Sequence, residues 1–174
     1  ANEHDFIERV PEEFITQPAP GGKLAPHLAR RGMQALFTLA PDVTLTCFNM
    51  DDPVVGGMAP EKVALRRALS LAYDVRKEIE SVRRGRAVPA QSPLKPHTTG
   101  YDPAFKSEMS DFDPARAKAL LDLYGYVDRD GDGWRELPDG SPLVLTRNSQ
   151  SDSLSRAVDA LWDTSLRAIG VRMK

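Results

Sequence analysis

Prolines and glycines decide where this chain can keep regular structure. The 174 residues include 14 Pro and 12 Gly, and these are clustered. Proline removes a backbone donor and fixes φ, while glycine lacks the Cβ that restrains the chain, so each cluster marks a place where a helix or strand stops. Residues 17–26 hold Pro18, Pro20, Gly21, Gly22 and Pro26 and read as a loop, and residues 87–105 hold Pro89, Pro93, Pro96 and Pro103 and read as an extended connector. Tyr101 and Phe105 favour docking of that connector on a surface over a freely solvated linker.

The segments between the clusters carry periodic apolar patterns. Phe6, Ile7, Val10 and Phe14 form a short amphipathic pattern interrupted by Pro11. Residues 33–40 and 43–50 are strand-like runs joined by Pro41 and Asp42, and the short joint predicts an antiparallel pair. Pro60 opens a helix to Tyr73 with Val63, Leu65, Ala68, Leu69 and Ala72 at helical spacing. Asp74 reads as the cap of a second helix over 75–84, stopped by Gly85. Asp113 and Pro114 open a third, closed by Gly125, with Ala117, Leu120, Leu121 and Tyr124 as its stripe. Residues 143–145 read as a strand, 151–169 as the most strongly amphipathic helix, and 171–173 as another strand. That order predicts a crossover between parallel strands. The class is therefore α/β or α+β, organised as one domain over 1–174, with an irregular or helical lead-in at 1–32 and a mixed helix and strand part at 33–174.

Composition excludes several functions. With 23 Lys+Arg against 25 Asp+Glu the formal charge is −2, so the chain has no basic excess with which to neutralise nucleic-acid phosphates. No apolar run reaches the 18 residues that a membrane-spanning helix needs. The first ten residues are acidic and mixed, unlike a secretory signal. Because the chain begins at Ala1 and breaks off at Lys174 as a strand begins, it is expected to be a piece of a longer protein whose leader lies outside it. The single Cys47 forms no intrachain disulfide.

Few residues point to covalent chemistry. His4, His27 and His97 sit among polar, Pro or loop residues with no nucleophile–base spacing, although a hydrolase built on His97 and nearby acids is one alternative. Cys47 lies in an apolar run, where a thiol behaves as a small hydrophobe. The sharpest local signal is the acidic loop, with Asp128, Asp130, Asp132 and Asp139 at positions one, three, five and twelve and Gly133 at six. Ca²⁺ takes six or more oxygens, and this alternation turns side chains toward one centre, so a calcium-binding interaction module is an alternative reading. A tight Asp/Gly turn whose carboxylates cap backbone amides needs no metal. It is favoured, because Pro138 precludes an ordinary exit helix and Asp139 is shorter than the usual Glu. Two arginine clusters, Arg66 with Arg67 and Arg83 with Arg84 and Arg86, could each hold an anion, but charge clusters on helices are more often solvated faces. Tyr101, Tyr124, Tyr126 and Trp134 read as core or rim packing before ligand walls.

Several segments in order resemble the family-5 solute-binding proteins of ABC importers, the dipeptide/oligopeptide-binding group. They are 48–53 (FNMDDP), 65–74 (LRRALSLAYD), 85–90 (GRAVPA), 100–103 (GYDP), 113–121 (DPARAKALL) with Gly125 and Tyr126, and 168–171 (AIGV). The resemblance implies part of one lobe of a two-lobed, type II periplasmic-binding-protein-like fold that closes over a ligand. It implies a substrate-binding component of an import system, not an enzyme, with no cofactor. Its partners would be a peptide or other small-molecule ligand and the membrane permease, and its place the periplasmic or extracellular face of the cytoplasmic membrane. On strand 43–50 it points to Thr46, Phe48 and Asn49 as ligand-facing, although Thr44, Leu45, Thr46 and Cys47 stand where the family has aromatic residues.

Overall fold

The computed structural model describes residues 5–8, 10–11 and 14–174, residue 109 by its backbone alone. His4 and part of the 6–16 pattern lie outside them. In the lead-in the chain makes a 3₁₀ turn at Pro20–Gly22 and a single helical turn α1 at Pro26–Ala29.

The core is built on two helices. α2 (Pro60–Ala72) starts with Pro60 in its first turn, where a missing N–H costs nothing, and buries Ala64, Leu65, Ala68, Leu69, Leu71 and Ala72. α4 (Pro114–Leu123) packs along it through Ala117 and Leu121, both fully buried. Alanines at this contact let the two backbones approach closely. The junction is fixed at both ends: the Asp113 amide donates to the Leu71 carbonyl at 2.8 Å, and the Tyr126 hydroxyl donates to the Glu61 carbonyl at 3.1 Å. Asp113 caps α4 by accepting from the Arg116 amide at 2.9 Å. Gly125, at φ 81°, then lets the Tyr126 amide turn back to the Leu121 carbonyl.

The predicted helix after Asp74 is only one α-turn long. Asp74 caps α3 (Val75–Lys77) through the Lys77 amide at 2.9 Å, after which the chain widens into a π-turn at Glu78–Val82. In the wider turn the Arg83 amide reaches the Glu78 carbonyl five residues back, and their side chains pair at 2.6 Å. The expected crossover is present. β1 (Val144–Leu145) and β2 (Arg172–Met173) pair in parallel, Val144 opposite Arg172 and Leu145 opposite Met173, across α5 (Ser153–Ala168). Asp152 caps α5, whose buried stripe is Leu161, Trp162, Ser165 and Leu166, and Gly170 at φ 76° releases the chain into β2. The fold is thus mixed helix and sheet.

Two expectations are corrected. The runs 33–40 and 43–50 are not an antiparallel pair: no backbone hydrogen bond joins them among the described residues, and Leu36, Phe37, Leu39 and Leu45 are exposed. Strand-like composition describes a surface that suits a sheet, and a strand exists only where a neighbour accepts its backbone groups. Tyr101 and Phe105 are exposed instead of docked. The connector is held by a polar contact, the Gln91 side-chain oxygen accepting from the Ser107 amide at 3.0 Å and the Ser110 hydroxyl at 2.7 Å.

Candidate functional site

Thr46 and Asn49 are exposed, and Phe48 is half-buried against the core. Asn49 opens a tight loop, its Oδ1 accepting from the Asp51 amide at 3.1 Å. Asp52 then accepts from the Val54 and Val55 amides at 2.8 and 2.9 Å. Gly56 passes so close that a Cβ there would lie 2.3 Å from the Met50 carbonyl oxygen. Arg66 and Lys62 of α2 tie the loop down: Arg66 donates to the Val55 and Gly57 carbonyls at 2.5 and 2.9 Å, and Lys62 donates to the Pro53 carbonyl. Arg66 is therefore committed to backbone, Arg83 to Glu78, and Arg86 to the Val10 carbonyl at 2.9 Å. Each of the two arginine clusters thus has at least one arginine spent on a protein acceptor. Cys47 is exposed, unlike the buried thiol its neighbours suggest.

In the acidic loop the carboxylates cap amides. Asp128 accepts from Gly131 at 2.7 Å and Gly133 at 2.9 Å, Asp130 from Asp132 at 3.1 Å, and Asp132 from Trp134 at 2.8 Å. Oxygens of Asp128, Asp130, Asp132 and Glu136 lie within 4.8 Å of one another. Asp139 is not in that group; it accepts from the Ser141 amide and hydroxyl at 2.9 and 2.6 Å, which holds its carboxyl below the usual range. Arg172 pairs with Asp132 at 3.4 Å and lies 5.0 Å from the Trp134 ring, tying the loop to β2. The arrangement is accounted for by the turn. His27 and His97 are exposed, and no hydrogen bond joins either to a Ser, Cys or carboxylate among the described residues.

A cluster that the sequence did not reveal lies where β1 ends. In open parallel sheets ligands are received outside the carboxyl ends of the strands. There Arg147 donates through Nε to Asp159 at 2.7 Å and lies over Trp162, 5.4 Å from the ring centroid. Trp162 in turn stacks on Tyr73 at 4.0 Å and 16°, and the Tyr73 hydroxyl donates to Glu78 at 2.5 Å. Burial raises the Tyr73 pKa, and the hydrogen bond and charge of Glu78 add to this. The only local signal was an arginine two residues after a predicted strand in a crossover unit. Two small cavities of about 100 and 150 Å³ lie elsewhere, one beside Arg67 and Arg116, the other beside Gln91 and Ser107.

The sequence pattern of the bacterial extracellular solute-binding proteins, family 5 (middle region), matches residues 1–174. The chain belongs to that family. Solved structures agree. An oligopeptide-binding protein OppA is 31% identical with a TM-score of 0.61, over 71% of this chain and 19% of its own. The oligopeptide-binding protein AppA from Bacillus subtilis, in complex with a nonapeptide, is 22% identical with a TM-score of 0.64, over 73% of this chain and 24% of its own. NikZ from Campylobacter jejuni, in complex with Ni(L-His), is 25% identical with a TM-score of 0.57, over 73% of this chain and 24% of its own. No curated protein sequence matches the chain. The chain spans about a quarter of the length of these structures or less. The fold is thus a mixed helix and sheet part of a type II periplasmic binding protein. No helix among the described residues is long and apolar enough to cross a membrane.

Proposed function

We propose that this chain is part of the substrate-binding component of an ABC importer, which captures a peptide or other small solute outside the cytoplasmic membrane and hands it to a membrane permease. The observation that carries this reading is the family-5 match along residues 1–174. Structural relatives in complex with a nonapeptide and with Ni(L-His) support a solute held without covalent change. The chain supplies one side of the ligand cleft, from Thr46, Phe48 and Asn49 and from the carboxyl end of β1. Function is a binding cycle: the solute bridges two lobes and favours the closed form, which docks on the permease. Catalysis, a cofactor and nucleic acid have no part in it.

The test is to purify the intact protein carrying this chain and identify by mass spectrometry the solute it retains. A stoichiometric peptide or small solute, released unchanged on unfolding and raising Tm when returned, is the expected result. Chemical conversion of the solute, or the absence of any bound or rebinding solute, would refute it.

A further inference from the structure

The cavity of about 100 Å³ beside Arg67 and Arg116 lies in the groove between α2 and α4. Buried Leu71 of α2 and half-buried Leu120 of α4 give it an apolar lining, and Arg67, Arg116 and Glu108 supply its charge. The three charged residues are exposed and come from three segments: α2, the first turn of α4, and the 3₁₀ turn Glu108–Ser110. Among the described residues neither guanidinium has a hydrogen bond or ion pair, whereas Arg66, Arg83, Arg135 and Arg147 are each spent on a protein acceptor. Arg116 acts electrostatically on Asp111, but that carboxylate is already paired with Lys106 at 2.8 Å. The rim therefore carries one positive charge more than negative. Two like charges at one rim repel, and an anion set between them turns the repulsion into attraction. The lining selects the anion. A phosphate group, with its higher charge, would meet Glu108 and has no apolar part for the leucines. An Asp or Glu side chain brings a single charge and a methylene stem. Arginine, moreover, is enriched at protein interfaces and matches the plane of a carboxylate. Leu71 lies two residues before Tyr73, so the groove sits at the end of α2 that carries Tyr73 to the cluster beyond β1.

We propose that the α2–α4 groove at Arg67 and Arg116 is a docking point for an acidic side chain on the outer face of the membrane permease. The inference rests on the solute-binding reading and adds to it a surface through which the loaded protein meets its partner. As rim charges, Arg67 and Arg116 govern encounter with the permease and leave solute affinity unchanged. Glu108 restricts the groove to singly charged acids.

The test is the affinity of the intact protein, purified with the solute it retains, for its permease held in nanodiscs of zwitterionic lipid, with empty nanodiscs as the control. Arg67→Glu and Arg116→Glu each weaken docking by about tenfold, mainly through a slower on-rate, and the loss shrinks as salt rises from about 0.05 M to about 0.5 M. Retained solute, measured by mass spectrometry, and Tm stay at their parent values. Arg67→Gln and Arg116→Gln, which add no negative charge, weaken docking in the same direction by less, and they decide the question if a Glu variant unfolds. Docking unchanged in all four variants overturns this inference and leaves solute binding standing. So does a loss that is insensitive to salt, or one seen equally on empty nanodiscs, which would place lipid headgroups in the groove. Inorganic phosphate that binds the parent and not Arg67→Glu, with docking intact, overturns it in favour of a free anion. A parent protein that retains solute but does not dock overturns the inference alone, and one that neither retains solute nor docks overturns the solute reading with it.

Discussion

Tyr73 ties the end of α2 to α5 with an aromatic face and one hydroxyl. Its ring lies on Trp162 and its proton on Glu78, and burial favours the neutral phenol. The folded state therefore holds this proton above the ordinary value of 10.0, where the unfolded chain releases it. The sign follows: the stabilisation is complete below pH 10 and declines as pH rises further, by up to about 1.4 kcal/mol per pH unit. Urea unfolding at pH 9 and pH 11 should show the parent losing about 1 kcal/mol more than Tyr73→Phe over that interval. Equal losses would mean that the phenol is not held in this way. At this scale the sequence was readable where one residue acts on its own backbone: Asp74, Asp113 and Gly125 do what their types require. Arg147 and Tyr73 were not, because their roles come from Asp159, Trp162 and Glu78, each contact set by folding.

Among the elements, the clearest dependence is that of the 49–57 loop on α2. Its own carboxylates shape it, with Asp52 accepting from Val54 and Val55, but its attachment to the core runs through Arg66. Replacing Arg66 by Met keeps the apolar stem and removes donors to two carbonyls. A loss of about 2 kcal/mol is expected from equilibrium urea unfolding. A change below about 0.5 kcal/mol would show that the two contacts are matched by water. The acidic loop illustrates the same competition from the other side. Its spacing is that of a calcium loop, yet Asp139 turns to Ser141 and Glu136 takes the place nearest Asp128, Asp130 and Asp132. Spacing alone registers which carboxylates alternate; the isolated bridge between Glu136 and Pro142 sets the direction in which the chain leaves.

For the whole molecule, order is divided unevenly along the chain. Residues 34–48 have no backbone hydrogen bonds among the described residues, whereas α2 and α4 share a continuous buried seam. Amide hydrogen exchange should be fast over 34–48 and slow over 63–72 and 117–123, with protection differing by a factor of 100 or more. Comparable protection in both would mean that the 33–50 runs have found sheet partners. Local determinants were decided by the residues themselves: Pro60, Asp74, Asp113, Gly125 and Gly170 start and stop helices through caps and φ preferences that reach only a few residues. The ordered series of short motifs likewise carried family membership. Tertiary structure alone decided that 34–48 finds no backbone partner among the described residues, that Arg66 is spent on carbonyls, and that Arg147, Trp162, Tyr73 and Glu78 gather at one strand end. Those outcomes depend on which distant segment arrives to accept a hydrogen bond or cover a ring, and no local pattern encodes that arrival.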